Sequence, residues 1–351
     1  MAEPARIALD AFGTDTCPGP EVEGAVGAAR EGVHVVLVGD EARLQPLLNS
    51  AGAGDLPITI HHAPDRIAMD DSPSKAVRAK PDASMPKCFD LVKQGEADAV
   101  MSAGNSGAML ACGLFKYRRI KGVDRPALVS TLPTTSGVVT FLDVGANVEC
   151  RPINLTQFAL LGAVYARFKD GKVRPRVGLL SNGSEEGKGT DLTRATHRLL
   201  EEHPSEDFEY AGYAEGHDIF GGELDVIVTD GFTGNVALKT AEATGRLIGR
   251  WLRRAIDTGT RSKLGALLLR PAFTQLKTML DPDTYGAAPL LGVSGIAFIC
   301  HGSASGYAIA NSLRWAARSV SEELLPQLAD AIVRHKPLFE ASKAAEDGPK
   351  S

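Results

Sequence analysis

The chain has 351 residues, 44% hydrophobic and 23% charged, with a formal net charge of −5. That is enough apolar residue for a sizeable core, with no basic field to invite nucleic acid and no apolar run long enough to span a bilayer. Five Cys, at 17, 88, 112, 150 and 300, lack C-x-x-C spacing, which argues against a zinc or disulfide framework and fits a reducing cytoplasm. The start runs straight into a strand, so no secretory leader is expected.

Ile7 to Leu9 reads as a short strand ending in Asp10, followed by Gly13, Thr14, Asp15 and a Cys-Pro-Gly-Pro turn. A helix is expected over 21–30, a strand over 34–39, a helix capped by Asp40 and a strand over 58–60. This alternation signals βα units: an α/β fold with a mainly parallel sheet and helices on both faces. Ligands of such sheets gather at C-terminal strand ends. Taken singly, Asp10 and Asp15 read as a helix cap and a turn acid.

Residues 64–86 are a polar connection between prolines. Its cations Arg66, Lys75, Arg78 and Lys80 suit a phosphate-bearing ligand or an acidic partner, or are simply a solvated loop. The run 97–101 reads as a buried strand, breaks at Ser102, Gly104 and Gly107, and resumes with helical spacing through Leu110, Leu114 and Tyr117. Glycines there let backbone approach a ligand, and free N–H groups at a helix N-terminus favour an anion.

Segments 127–132 and 138–142 predict an antiparallel hairpin ending in Asp143-Val-Gly-Ala-Asn147. A helix over 155–168 precedes a strand over 176–180, which ends in a turn holding Asn182 and Lys188. A strand over 224–228 ends in Thr229-Asp-Gly-Phe-Thr-Gly-Asn235, and a long helix carrying Lys239 follows. Strand ends 102–107, 143–147, 182–189 and 230–235 therefore carry the same glycine, amide and hydroxyl chemistry. The expectation is one shared crevice for phosphate or a phosphoryl-like group, with Lys188 and Lys239 supplying positive charge.

Arg253, Arg254, Arg261, Lys263 and Arg270 flank Leu264, Leu267, Leu268 and Phe273, predicting an amphipathic helical hairpin over 253–281 broken at Pro271. It fits an anionic membrane, an acidic partner, a second subunit or ordinary core packing. Strands at 290–291 and 294–300 lead to His301 beside Ser303 and Ser305, a candidate acid or base, and a final helix runs to about Arg334. A single α/β domain is expected over 1–335, with 336–351 a polar, disordered tail.

Several motifs together resemble the bacterial phosphate acyltransferases of phospholipid synthesis, the PlsX family. They are Ser-Ala-Gly-Asn-Ser-Gly-Ala at 102–108, Arg-Pro-Ala at 125–127, Leu-Asp-Val-Gly-Ala-Asn-Val at 142–148 and Arg-Val-Gly-Leu-Leu at 176–180. Glu-Glu-x-Lys-Gly at 185–189, Asp-Gly-Phe-Thr-Gly-Asn-Val-x-Leu-Lys-Thr at 230–240 and His-Gly-Ser at 301–303 complete the set. Where the family has Asp-Ala-Met-Gly-Gly-Asp, this chain reads Asp-Ala-Phe-Gly-Thr-Asp at 10–15, and Asn-Ile-Gly-x-Glu becomes Asn-Gly-Ser-Glu at 182–185.

The resemblance implies transfer of a long-chain acyl group from acyl-acyl carrier protein to inorganic phosphate, giving acyl phosphate for a membrane glycerol-3-phosphate acyltransferase. It also implies an isopropylmalate dehydrogenase/phosphotransacetylase-like fold, a homodimer, and a cytoplasmic enzyme in peripheral contact with an anionic membrane, with no cofactor and no metal.

Phosphate is already anionic and a thiolate leaves readily, so position and charge stabilisation suffice without a protein nucleophile. Ser102, Gly104, Asn105, Ser106 and Gly107 are the expected phosphate cradle, with Asp143, Asn147 and Asn235 as further binding residues. Lys188 or Lys239 neutralises the phosphate. Asn182, Asn147 or Asn235 donates to the oxyanion, Asp143 and Asp230 orient lysines and amides, and His301 protonates the leaving thiol. Arg66, Lys75, Arg78, Lys80, Arg253, Arg254, Leu264 and Leu268 are the expected carrier-protein or membrane contacts. Two rivals are a metal- and NAD-dependent hydroxy-acid dehydrogenase, with Asp10, Asp143 and Asp230 as metal ligands, and a non-catalytic membrane adaptor for a lipid acyltransferase.

Overall fold

The computed structural model describes residues 4–185, 187–280, 284 and 286–346. Glu186 of the Glu-Glu-x-Lys-Gly stretch, position 281 of the expected hairpin and 347–351 of the expected tail lie outside them. The chain opens with β1 (Arg6–Asp10), α1 (Gly19–Ala29), β2 (His34–Gly39), α2 (Glu41–Ser50) and β3 (Ile58–His62). Next come α3 (Pro73–Ala79), α4 (Ser84–Gln94), β4 (Ala99–Ser102) and α5 (Ser106–Cys112), which continues into a π-helical turn at Gly113–Tyr117. The middle of the chain holds β5 (Ala127–Thr134), β6 (Gly137–Leu142), α6 (Pro152–Asp170), β7 (Arg176–Leu180), α7 (Asp191–Glu202), β8 (Glu209–Ala214) and β9 (Val226–Val228). It closes with α8 (Gly231–Asp257), α9 (Thr260–Leu268), α10 (Arg270–Leu280), β10 (Ala288–Leu291), β11 (Ile296–Ile299), α11 (Gly306–Ser321), α12 (Leu324–Arg334) and α13 (Lys336–Glu346).

Strands covered on both faces read as continuous apolar runs. Ile7, Ala8 and Leu9 of β1 are fully buried, as are Ala99 to Ser102 of β4. All strands join one sheet in the order β3-β2-β1-β4-β11-β10-β5-β6-β9-β7-β8. Pairing is parallel through β3, β2, β1, β4 and β11, and again through β6, β9, β7 and β8. Between them β11–β10, β10–β5 and β5–β6 are antiparallel, so the expected hairpin forms. Three successive reversals make the two parallel groups run in opposite directions. The C-terminal ends of β1, β4 and β11 thus face one edge of the sheet, and those of β6, β7 and β9 face the other. The four glycine-rich strand ends, expected to share one crevice, therefore do not all open on the same edge. Periodicity reveals strands but not their polarity.

Helix α6 is buried around nearly its whole circumference, with Leu155, Phe158, Leu161, Val164 and Tyr165 all in the core. A helix apolar on all sides belongs inside, and α12 and α13 cover it. The expectation of a disordered tail from 336 is therefore corrected for 336–346. Leu338 and Phe339 of α13 are buried in the same core, and Ser342 Oγ lies 3.4 Å from Thr156 Oγ1. The two adjacent apolar residues among Lys, Glu and Ala carry too little periodicity to announce a helix. The basic arm also differs from its expected bounds. α8 runs unbroken for 27 residues, about 40 Å, past the expected start at 253. The later break falls at Leu269, and Pro271 sits in the first turn of α10, where its missing N–H costs nothing.

Candidate active site

The turn after β1 and the turn after β4 interlock. Ser102 Oγ donates to Asp10 Oδ2 at 2.7 Å and accepts from Gly104 N–H at 3.0 Å, while Phe12 N–H donates to Asp10 Oδ1 at 3.1 Å. Burial pushes the Asp10 carboxyl up from its ordinary value, and the bonds from Ser102 and Phe12 pull against that. Gly13 lies on the Ala103–Gly104 backbone so closely that a Cβ would sit 2.7 Å from Ala103 N. Thr14, the departure from the family's glycine, is buried, and its N–H donates to Glu21 Oε1 at 2.6 Å. Burial pushes the Glu21 carboxyl up to about 7, with the Asp10 charge adding to it.

Asn105 caps α5 by accepting from Ala108 N–H at 3.0 Å. Its Nδ2 donates to the carbonyls of Ala68, Met69 and Asp71 at 3.3, 3.1 and 3.1 Å. Ser102 and Asn105 therefore hold the frame of the cradle, pinning it to β1 and to the 64–72 segment. The exposed hydroxyl of Ser106 and the first-turn N–H groups of Ser106 and Gly107 remain for an anion.

The turn after β11 closes on the same place. Cys300 N–H donates to Ser102 O at 2.9 Å, and Asp15 N–H donates to Gly302 O at 2.8 Å. His301 Nε2 lies 3.5 Å from Lys239 Nζ and 3.5 Å from Glu242 Oε1, and Lys239 and Arg246 pair with Glu242 Oε2 at 3.1 and 3.7 Å. Glu242 is the element missed by sequence reasoning. Its signal was the i,i+3 and i,i+4 spacing to Lys239 and Arg246.

Lys239 arrives from the opposite edge of the sheet. Asp230 caps α8, accepting from Thr233 N–H and Oγ1, each at 2.8 Å. The helix then climbs about 12 Å in eight residues. Its start is held down because Gly234 has no side chain: a Cβ there would be 1.9 Å from the Asp143 carbonyl oxygen.

Asp143 and Asn147 face inward. Asp143 accepts from the N–H groups of Leu128, Gly145, Ala146 and Asn147, and from Asn147 Nδ2 at 2.8 Å. Asn147 Nδ2 also donates to Pro126 O at 2.7 Å, and Gly231 N–H donates to Asn147 O. These two side chains tie β5, β6 and α8 together. Asn182 accepts from Gly189 N–H at 2.8 Å, Lys188 lies 3.9 Å from Glu185, and Asn235 is exposed beside Gly145. Among the described residues no hydrogen bond or ion pair joins Asn182, Lys188 or Asn235 to the Ser102–Gly107 turn or to His301. Asp10 lies at the opposite edge from Asp143 and Asp230, so these three do not converge as the ligands that the dehydrogenase alternative needs.

On the outer surface Lys80 pairs with Asp71 at 2.6 Å, Arg78 lies over the Phe115 ring and Lys75 is exposed. Arg253 and Arg254 lie exposed on α8, with Leu264 and Leu268 exposed on α9. No helix among the described residues is long and apolar enough to cross a membrane.

A family model described as "Fatty acid synthesis protein" matches residues 5–326. A phosphate acyltransferase of Geobacter sulfurreducens is 47% identical over 348 residues, covering 98% of this chain and 100% of the relative. One of Anaeromyxobacter dehalogenans is 48% identical, covering 98% of this chain and 96% of the relative. Among solved structures, a phosphotransacetylase from Streptococcus pyogenes superposes with a TM-score of 0.61 at 17% identity, over 92% of this chain and 95% of its own. The EutD phosphotransacetylase from Staphylococcus aureus gives 0.58 at 17% identity, over 90% and 94%. These two share the fold.

Proposed function

We propose that this chain, which belongs to the phosphate acyltransferase family and transfers an acyl group to phosphate, takes that group from the thioester of an acyl carrier protein and releases long-chain acyl phosphate. The observation that carries the site assignment is the meeting of Lys239 and His301, 3.5 Å apart, beside the turn after β4. Inorganic phosphate rests on the N–H groups of Ser106 and Gly107 and on the Lys239 ammonium. One phosphate oxygen attacks the thioester carbon, the carbonyl electrons move to oxygen, and their return breaks the C–S bond. His301 gives a proton to the departing sulfur and regains one from solvent. Glu242 orients Lys239 and His301, and Asp10 orients Ser102. Asp143, Asn147, Asp230 and Asn235 support the start of α8. Asn182 and Lys188 belong to a separate loop, which serves the acyl or carrier side.

The carrier is acidic, and Arg66, Lys75, Arg78 and Lys80 offer it a basic approach. The arm exposes Trp251, Leu252, Leu264, Leu267 and Leu268 next to Arg253 and Arg254. Such a surface suits peripheral contact with an anionic membrane, where a glycerol-3-phosphate acyltransferase would take the product, and contact with a second copy in a homodimer.

Purified protein incubated with palmitoyl-carrier protein, with and without phosphate, and trapped with hydroxylamine tests the reading. Phosphate-dependent hydroxamate that disappears in Lys239→Ala is expected. A folded protein that yields no hydroxamate, or yields it equally without phosphate, overturns it.

A further inference from the structure

A cavity of about 600 Å³ opens beside the β1 turn, lined by Phe12, Arg43, Pro64, Asp65, Arg66 and Lys80. Its size is that of a small-molecule site, and its charge is unbalanced. Lys80 is neutralised by Asp71, yet among the described residues neither Arg43 nor Arg66 has a carboxylate partner. The Arg43 guanidinium lies 4.7 Å from the centre of the Phe12 ring, and that of Arg66 donates to Cys17 Sγ at 3.6 Å. Asp65 is the one carboxylate in the lining and pairs with neither guanidinium among the described residues, so the cavity keeps a net positive charge, and a phosphate matches the forked donors of Arg43 and Arg66.

The cavity is also at the right distance. Phe12 is two residues from Asp10, and Arg66 is three from Met69, whose carbonyl holds Asn105. Three residues span at most about 10 Å. We propose that Arg43 and Arg66 bind the phosphate of the phosphopantetheine arm on which the acyl thioester is presented. That arm, roughly 15 Å when extended and so comparable with four or five extended residues, then delivers its thioester to the turn after β4. This rests on the thioester donor proposed above and adds where the donor is gripped.

Calorimetric binding of 4′-phosphopantetheine against pantetheine tests it without turnover. Wild type is expected to prefer the phosphorylated form by about tenfold or more, and the exposed pair Arg43→Ala/Arg66→Ala to lose that preference. Equal binding of both compounds by wild type, or a preference retained in the folded double variant, overturns the assignment. With turnover, KM for octanoyl-phosphopantetheine and for acyl-carrier protein should rise in the double variant while KM for inorganic phosphate stays constant. A rise in the phosphate KM instead would make the cavity the acceptor's site. Weakening with acyl-coenzyme A but not with acyl-carrier protein would place the nucleotide end there. Both results refute the inference. Selective binding with no acyl transfer would leave the cavity assigned and sink the thioester reaction.

Discussion

Glu21 should make this protein lose stability as pH rises from about 4.5 to about 7, and Glu21→Gln should remove that loss. The carboxyl is fully buried, accepts the Thr14 N–H, and titrates at about 7 against an ordinary value of 4.5. Between those values the folded chain holds a proton that the unfolded chain has released, so each pH unit costs about 1.4 kcal/mol. The loss begins above pH 4.5, is complete above 7, and totals about 3 kcal/mol. Glutamine keeps an oxygen for Thr14 N–H and carries no charge. Urea denaturation at pH 5, 6, 7 and 8 should show the variant gaining on wild type by about that amount, almost all of it before pH 7.5. Other carboxylates titrate in both proteins and cancel in the difference. Parallel stability curves for the two proteins would refute the argument and place water against Oε2.

Two further outcomes follow from packing. Gly234→Ala should destabilise the fold by about 3 kcal/mol in urea titration, because its Cβ meets the Asp143 carbonyl and the start of α8 must lift. Lys239 moves with that helix, so hydroxamate formation should fall as well. Deleting residues 336–351 should cost about 4 kcal/mol in the same titration, since Leu338 and Phe339 leave the α6 core. A truncation without effect would contradict the packing of α13.

Much of the site is legible in local pattern. Apolar runs that stop at Asp10, Ser102, Val228 and Cys300 mark strand ends, and glycine with hydroxyl or amide residues marks turns that leave N–H groups free. Charge spacing on α8 exposes a basic, amphipathic arm before any coordinates are known. These signals are short-range, and each reports what a few neighbouring residues do to one another.

Sheet polarity, by contrast, follows from which strands pair: the β5–β6 turn is marked by Pro133 to Gly137, but nothing in composition marks β10 as antiparallel to both β11 and β5. That reversal separates Asp143, Asn182 and Asp230 from Ser102 and His301. It also turns Asp143 and Asn147 from candidate ligands into inward braces. The same long-range pairing lets α8 cross from one edge and bring Lys239 to His301, 62 residues later in the chain. Sequence alone determined the chemistry available: glycine-rich turns with amides and hydroxyls, two lysines, a histidine and a basic arm. Only the tertiary structure decided which lysine meets the histidine, because that depends on contacts between residues far apart in the chain.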